Sequence, residues 1–86
     1  MTVQFHSRFK KKLATFPVSI RRRFYDRLAL LLADPYHPTL RNHSLQGRYY
    51  GYRSINITGD LRAIYKMIPD DVCLFVVIDT HSNLYK

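Results

Sequence analysis

Side chains suited to proton transfer and phosphate binding recur in the second half of the sequence, near the ends of its apolar runs. Histidine suits either direction of proton transfer because its ordinary pKa is about 6.5. Arginine presents a fixed fork of donors to a phosphate, and tyrosine can stack on a base. The histidines, arginine and tyrosine that fall in these loops and strand ends are His43, Arg62, His81 and Tyr85. Two further polar residues, Asn56 and Asp60, lie in the same region.

Metal-free cleavage of RNA needs this set of groups. A base removes the 2′-hydroxyl proton, a cation stabilises charge on the phosphoryl oxygens, and an acid protonates the departing 5′ oxygen. The chemistry requires His43 and His81 to meet beside Arg62 in one pocket. Asn56 and Arg62 flank one predicted turn and should lie close together, whereas the tail must fold back to bring His81 to them.

Each of these residues also has a structural interpretation. His43 can cap or turn the chain, Asp60 can be a turn-forming residue, and Arg62 can pair with an aspartate. His81 and Tyr85 can belong to an ordinary packed tail. From the residues alone, both interpretations stay open.

Other familiar chemistries find little support. Asp70 and Asp71 are adjacent in a predicted turn and cannot readily converge on one ion, and His37 and His43 lack further ligands for zinc. We therefore expect no metal and no small-molecule cofactor. Cys73 is the only cysteine, which excludes an internal disulfide framework, and its apolar surroundings indicate a small buried side chain.

Positive charge is concentrated at the N-terminus. The 86 residues carry a net charge of +8, of which residues 1–27 account for +7. Such an excess favours a polyanionic partner: nucleic acid, ribosome, an acidic protein or an anionic membrane surface. The alternative is that these side chains only solubilise helix faces, but the acids that would intersperse them are nearly absent.

The length predicts one domain over residues 1–86, because a chain of this size buries only about 60–65% of its unfolded surface. The longest apolar runs, residues 28–33 and 72–78, are far shorter than the roughly 20 residues that cross a bilayer. The N-terminus lacks the apolar core of a signal peptide. We therefore expect a cytoplasmic protein without a membrane partner.

The apolar spacing predicts the order β-α-α-β-β-β-tail. Residues 1–5 form a short strand, a helix follows with Ser7 as its N-cap, and a second helix starts at Pro17 and ends at Asp34, before a proline. Residues 49–57, 61–67 and 72–78 read as strands, with a three-residue hairpin turn at 58–60. The predicted fold is an α+β domain, with two N-terminal helices packed on a mainly antiparallel four-stranded sheet.

Three tyrosines begin the first of those later strands. Tyr49, Tyr50 and Tyr52 are consistent with a stacking platform for nucleic acid. Alternation along a strand explains them equally well.

Four segments together resemble the RelE/ParE toxin superfamily, and most closely its YafQ-type branch. They are Leu-Arg-Asn-His-Ser-Leu-Gln-Gly at 40–47, Gly-Tyr-Arg-Ser at 51–54, Gly-Asp-Leu-Arg-Ala-Ile-Tyr at 59–65 and Asp-Thr-His-Ser-Asn-Leu-Tyr at 79–85. The resemblance implies a fold of the microbial-ribonuclease type and the toxin role in a type II toxin–antitoxin pair. It further implies ribosome-dependent, metal-independent cleavage of mRNA by 2′-hydroxyl attack, and an acidic antitoxin as partner.

The resemblance assigns roles to individual residues. His81 is the expected general acid and His43 the expected base or phosphate contact. Arg62 would stabilise the phosphoryl charge, Asp60 would orient a histidine or Arg62, and Tyr85 would position a base. Contacts to mRNA and ribosomal RNA are expected from Lys10, Lys11, Lys12, Arg22, Arg23, Arg27, Arg48, Arg53 and Asn56.

Two positions depart from the YafQ pattern. Asn56 stands where the pattern has another histidine, and Leu61 stands where it often has tryptophan. The missing histidine leaves the division of acid and base roles open. It also leaves open a degenerate toxin that only binds its antitoxin. A further alternative is a ParE-like inhibitor of DNA gyrase that does no chemistry, but a pure binder has no need of both His43 and His81.

Overall fold

The computed structural model describes residues 1–85 and shows a mixed sheet with helices on both faces; Lys86, the last residue of the predicted tail, lies outside the described residues. Two short 3-10 helices, Pro38–Leu40 and Gly47–Tyr49, interrupt the loops. The remaining elements are β1 Thr2–Phe5, α1 Ser7–Ala14, α2 Val18–Ala33, β2 His43–Ser44, β3 Arg53–Thr58, β4 Leu61–Ile68, β5 Val72–Thr80 and α3 His81–Leu84. The predicted α+β class is confirmed.

Across residues 1–85 the sheet has five strands in the order β1-β5-β4-β3-β2. β1 runs parallel to β5, with Phe5 opposite Phe75, and the other pairs are antiparallel. The predicted count of four strands is wrong because β2, which pairs His43 with Ser54, is only two residues long. A strand that short shows no alternation in the sequence.

The segment of the three tyrosines does not form a strand. β3 begins at Arg53 rather than at residue 49, because Gly47 (φ 66°) and Gly51 (φ 90°) take left-handed conformations that end regular pairing. Strand alternation is therefore the wrong explanation for Tyr49 and Tyr50. The side chain of Tyr50 is 77% exposed.

Several element ends also differ from the prediction. His6, not Ser7, is the N-cap of α1, because the imidazole Nδ1 accepts the Arg8 N–H at 3.1 Å. Pro17 occupies the N-cap position of α2. The β3–β4 turn contains two residues rather than three, since Thr58 pairs directly with Leu61.

A cluster of phenylalanines joins α1 and α2 to one face of the sheet. Phe9 of α1, Phe24 of α2 and Phe75 of β5 are buried, with ring centroids 5.2–5.4 Å apart. Phe5 stacks on both Phe9 and Phe75. These aromatic contacts hold the two-helix layer on β5 and β1.

The opposite face of the sheet is covered by α3. Leu84 of α3 is buried against Ile64 of β4 and Leu45, with Val76 and Val77 of β5 beside them. α3 is a single turn and has little stability of its own. Its position therefore depends on this small cluster and on the hydrogen bonds at its start.

Burial of Cys73 in the helix-side core raises the pKa of its thiol to about 11. The thiol in the unfolded chain then loses its proton at lower pH than the thiol in the folded protein. As pH rises above the pKa of the unfolded thiol, the free energy of unfolding therefore falls. Between about pH 8 and about pH 10.5, we expect wild type to lose about 2 kcal/mol more unfolding free energy than Cys73→Ala. Urea unfolding at the two pH values measures this, and an equal loss in both proteins would contradict it.

Candidate functional site

α3 is attached to the β3–β4 turn by Asp60. The Asp60 carbonyl accepts the His81 N–H at 2.8 Å, and its carboxylate Oδ2 accepts the Ser82 hydroxyl at 3.0 Å and the Ser82 N–H at 3.4 Å. The hydroxyl of Thr80 accepts the Asn83 N–H at 3.2 Å and so caps the helix. These bonds make β5 turn into a helix at residue 81, which places His81 directly beside the turn.

His81 and Tyr85 form a pair of exposed rings on α3. They are four residues apart, and their ring centroids are 4.7 Å apart at an interplanar angle of 44°. Leu84 points into the sheet, so the pair lies on the outer side of the helix turn. An imidazole and a phenol are therefore presented together to solvent.

Arg62 lies on the same face of the sheet as α3. It is the register partner of Asn56 on β3 and of Asp79 on β5, and directly paired residues share a face. Its Nη1 donates to the carbonyls of Gly59 at 3.0 Å and Leu61 at 3.4 Å, which holds the half-buried guanidinium at the turn. The prediction that Asn56 and Arg62 are neighbours is confirmed by this register.

His43 stands on the edge strand β2, and its tautomer is determined by a carbonyl. The ring Nδ1 lies 2.7 Å from the carbonyl oxygen of Arg41. Since a carbonyl can only accept, Nδ1 carries the hydrogen, and the neutral ring keeps a lone pair on Nε2. The exposed side of His43 is thus the side that can accept a proton.

The two imidazoles do not adjoin, so the prediction that His43 and His81 meet beside Arg62 in one pocket is wrong. β2 is separated from β5, which leads into His81, by β3 and β4, a distance of about 14 Å across three strand spacings. Arg62 on β4 lies between them. The structure attaches His81 to Asp60, pairs His81 with Tyr85 and holds Arg62 at the same β3–β4 turn, and it leaves His43 at the far side of this face.

The predicted RNA-binding cations fall into separate groups. Four exposed cations of α1 and α2 lie in the helix layer, behind the sheet as seen from α3: Lys10, Lys11, Arg22 and Arg23. Lys12 lies instead beside Arg8, in a groove against Val76 and Val77 of β5. Arg27 is half-buried, and its buried Nε has no hydrogen-bond partner among residues 1–85. Unlike the neighbouring Arg23, it is therefore not an exposed cation of α2.

The remaining two arginines stabilise the fold in different places. Arg48 donates from Nη2 to the carbonyl of Leu84 at 2.9 Å, and so supports the C-terminal end of α3. Arg53 donates from Nε to Asn42 at 2.8 Å and lies 5.6 Å from the Tyr36 ring. Arg53 thus ties a loop to the edge of β3, away from His81.

Sequence reasoning missed a basic cleft beside this site. A cleft of about 320 Å³ on the α3 face is lined by His6, Arg8, Arg48, Tyr49, Tyr52, Val76 and Val77. No sequence pattern links residues 6 and 8 to residues 48–52. They meet because β1 is parallel to β5 and ends beside it, with the His6 N–H bonded to the Phe75 carbonyl at 2.9 Å.

Within residues 1–85, no three His, Cys, Asp or Glu side chains group closely enough to hold a metal ion. In the same range, no helix is both long and apolar enough to cross a membrane.

Comparison with known proteins identifies relatives of this fold. A family model described as "Bacterial toxin of type II toxin-antitoxin system, YafQ" matches residues 1–86. No curated protein matches the sequence with significance.

Three solved structures illustrate the structural similarity. The chain is similar to YafQ in the E. coli DinJ–YafQ complex (25% identity, TM-score 0.75, 98% of this chain and 97% of that chain). It is similar in fold to a YoeB/ParE toxin from Agrobacterium tumefaciens (15% identity, TM-score 0.80, 94% of this chain and 99% of that chain). It is also similar in fold to a chain of the archaeal RelE–RelB complex from Pyrococcus horikoshii (24% identity, TM-score 0.75, 92% of this chain and 92% of that chain).

The bonds between Asp60 and Ser82 predict that Asp60→Ala loosens α3. We expect the Ser82 and Asn83 amides to exchange with solvent about fivefold to tenfold faster, since the carboxylate no longer holds the start of the helix. Hydrogen exchange followed by NMR measures this, with Asp26→Ala on α2 as the control. Unchanged exchange in α3 would show that Asp60 does not hold it.

Proposed function

The chain belongs to the YafQ family of toxins of type II toxin–antitoxin systems, and we propose that it is an endoribonuclease that cuts mRNA on the ribosome by 2′-hydroxyl attack. The observation that carries the proposal is the exposed His81–Tyr85 pair, which Asp60 holds beside Arg62. Proton transfer, charge stabilisation and base stacking are the roles that these residue types supply without a metal ion.

In the proposed reaction a base takes the 2′-hydroxyl proton, and the resulting oxygen attacks the adjacent phosphorus. The bond from phosphorus to the 5′ oxygen breaks, leaving a 2′,3′-cyclic phosphate and a 5′-hydroxyl. His81 donates the proton that the departing 5′ oxygen needs. Arg62 stabilises the negative charge on the phosphoryl oxygens, and Tyr85 stacks on a base so that the bond is aligned.

Asp60 acts on His81 through the backbone. Its carbonyl holds the His81 N–H and its carboxylate holds Ser82, so neither oxygen is proposed to reach the substrate. Asp60 is therefore a positioning residue, whose loss would displace the imidazole rather than remove a proton carrier.

His43 is proposed as a phosphate contact and not as the base, because the 2′ and 5′ oxygens of one phosphodiester flank the same phosphorus, whereas His43 and His81 lie on elements three strand spacings apart. The 2′-hydroxyl proton is therefore proposed to pass to solvent. The Nε2 of His43 is free of the Arg41 carbonyl, and its distance from His81 requires the RNA to cross the face of the sheet between them. Asn56, the neighbour of Arg62, can donate a hydrogen bond to a phosphate but cannot transfer a proton.

Four cations of the helix layer are proposed to contact ribosomal RNA rather than the cut strand, since they lie behind the sheet as seen from α3: Lys10, Lys11, Arg22 and Arg23. Such contacts release counterions, so association with the ribosome should weaken steeply with salt.

The proposed protein partner is an acidic antitoxin. The solved relatives include YafQ in complex with DinJ and RelE in complex with RelB. A net charge of +8 favours an acidic segment that covers the basic surface and blocks the site. We propose that both proteins act in the cytoplasm, where ribosomes are found.

If His81 transfers a proton, His81→Ala should cut ribosome-bound mRNA at least about a hundredfold more slowly than wild type. Added imidazole should restore part of the rate, because it can supply the missing proton. Primer extension on mRNA from a translation reaction measures the cleavage. His37→Asn is the matched control, since it removes an imidazole far from α3 and asparagine can still cap the 3-10 helix.

Full cleavage by His81→Ala would remove His81 from the mechanism. Intact mRNA with wild type, together with loss of DNA supercoiling by gyrase, would instead identify the chain as a ParE-like inhibitor. Intact mRNA without any effect on gyrase or growth would identify a degenerate toxin.

An antitoxin partner predicts a small acidic protein encoded by a neighbouring reading frame. Co-expression should relieve growth arrest, and the two proteins should copurify, because an acidic segment on a basic surface is expected to bind tightly. Growth arrest that persists with every neighbouring frame co-expressed would contradict this prediction.

A further inference from the structure

We propose that the basic cleft beside α3 is a second RNA subsite, which binds a nucleotide flanking the cut bond; this inference rests on the proposed ribonuclease function. The cleft combines three basic groups, His6, Arg8 and Arg48, with two tyrosine rings and an apolar floor. Cationic grooves with aromatic stacking surfaces are the usual construction of sites for single-stranded nucleic acid.

The floor of the cleft is made by a bulge in β5. The β4–β5 register passes from Ile64 opposite Val77 to Tyr65 opposite Phe75, so Val76 is an extra residue. Neighbouring residues of a regular strand face opposite sides of a sheet. At this bulge Val76 and Val77 both pack toward the α3 face, which gives a broad apolar surface suited to the flat face of a base.

The walls combine aromatic rings with cations. Tyr49 and Tyr52 meet edge to face with centroids 6.4 Å apart. The Arg48 guanidinium lies 5.1 Å from the Tyr49 ring, and the Lys66 ammonium lies 5.3 Å from the Tyr52 ring. A base stacked on either tyrosine would therefore have its phosphate within reach of a cation.

His6 offers the cleft a hydrogen-bond donor without needing a positive charge. Its Nδ1 accepts the Arg8 N–H at the start of α1, so Nδ1 carries no hydrogen. The hydrogen of the neutral ring is therefore on Nε2. This is the opposite tautomer to that of His43. His6 is thus suited to donate to a phosphate oxygen, together with the exposed guanidinium of Arg8.

The cleft is connected to the candidate catalytic residues. Arg48 spans the two, since its guanidinium lines the cleft and donates to the Leu84 carbonyl of α3. Val77 on the floor precedes His81 by four residues, about 13 Å of extended strand. An RNA strand whose cut bond lies at His81 would therefore place a neighbouring nucleotide in the cleft.

Binding can be measured apart from cleavage with a fluorescent RNA hexamer whose 2′-hydroxyls are methylated, because this probe cannot be cut by 2′-attack. In anisotropy titrations of the full chain, Arg8→Ala should weaken binding about tenfold. The slope of log Kd against log salt concentration should fall by about 0.7, the value for one phosphate contact on a single strand. Arg41→Gln removes the same charge from an exposed position outside the cleft and should change Kd less than about twofold.

Stacking is tested by paired substitutions at one position. Tyr49→Leu should weaken binding about tenfold, whereas Tyr49→Phe keeps the ring and should bind as wild type does. Tyr25→Leu on α2, where the side chain is 52% exposed, is the control for a lost surface tyrosine. Thermal unfolding of each variant separates loss of the subsite from loss of the fold.

Equal weakening by Arg8→Ala and Arg41→Gln would show that general charge binds the RNA, and would overturn the subsite. An acidic peptide (ten aspartates with a fluorophore) is the competing ligand. If its binding, and not that of the RNA, depends on Arg8 and Tyr49, the cleft binds protein and the inference is wrong. If the hexamer binds as expected while ribosomal mRNA stays intact, the proposed cleavage fails and the cleft is still supported as an RNA site.

Discussion

The attachment of α3 to the β3–β4 turn is the constraint on which the rest of the candidate site depends. A single helical turn cannot hold itself in water, so its orientation comes from the Asp60 carbonyl and carboxylate at one end and from Arg48 at the other. Leu84 anchors the middle of the turn to Ile64. His81 and Tyr85 can remain exposed because none of these anchoring contacts uses their rings.

The two faces of the sheet differ in how much apolar surface they bury. The helix-side face is closed by a dense phenylalanine cluster and supplies the stability of the fold. The α3 face has a much smaller apolar cluster and carries half-buried polar groups such as Arg62 and Asn56. The α3 face therefore leaves polar side chains near the surface, whereas the helix-side face closes off its apolar ones.

The sequence predicted the long elements and the sharing of a face by Asn56 and Arg62, because helical spacing, apolar strands and a turn between two strands are local signals. It could not predict β2, which is two residues long, or α3, whose formation depends on Asp60 in a turn 22 residues before Ser82. It also misplaced Arg53 and Arg27, since neither charge nor spacing tells whether a long side chain lies in water or along a strand.

Predictions about the histidines show the same limit. Residue type identified His43 and His81, but the structure determines that they are three strands apart. The tautomers of His6 and His43 differ because one ring accepts a backbone N–H and the other faces a carbonyl. Such hydrogen bonds are set by the local backbone, and the sequence gives no sign of them.

The parallel pairing of β1 with β5 has a consequence for how the protein is made. Residues 2–5 find their partners at residues 72–75, so β1 stays unpaired until residue 75 has been synthesised. Contacts between such distant segments slow folding. The α3 face, which is built at the far end of β5, therefore forms late, and the candidate site stays incomplete until residues 81–85 have been added.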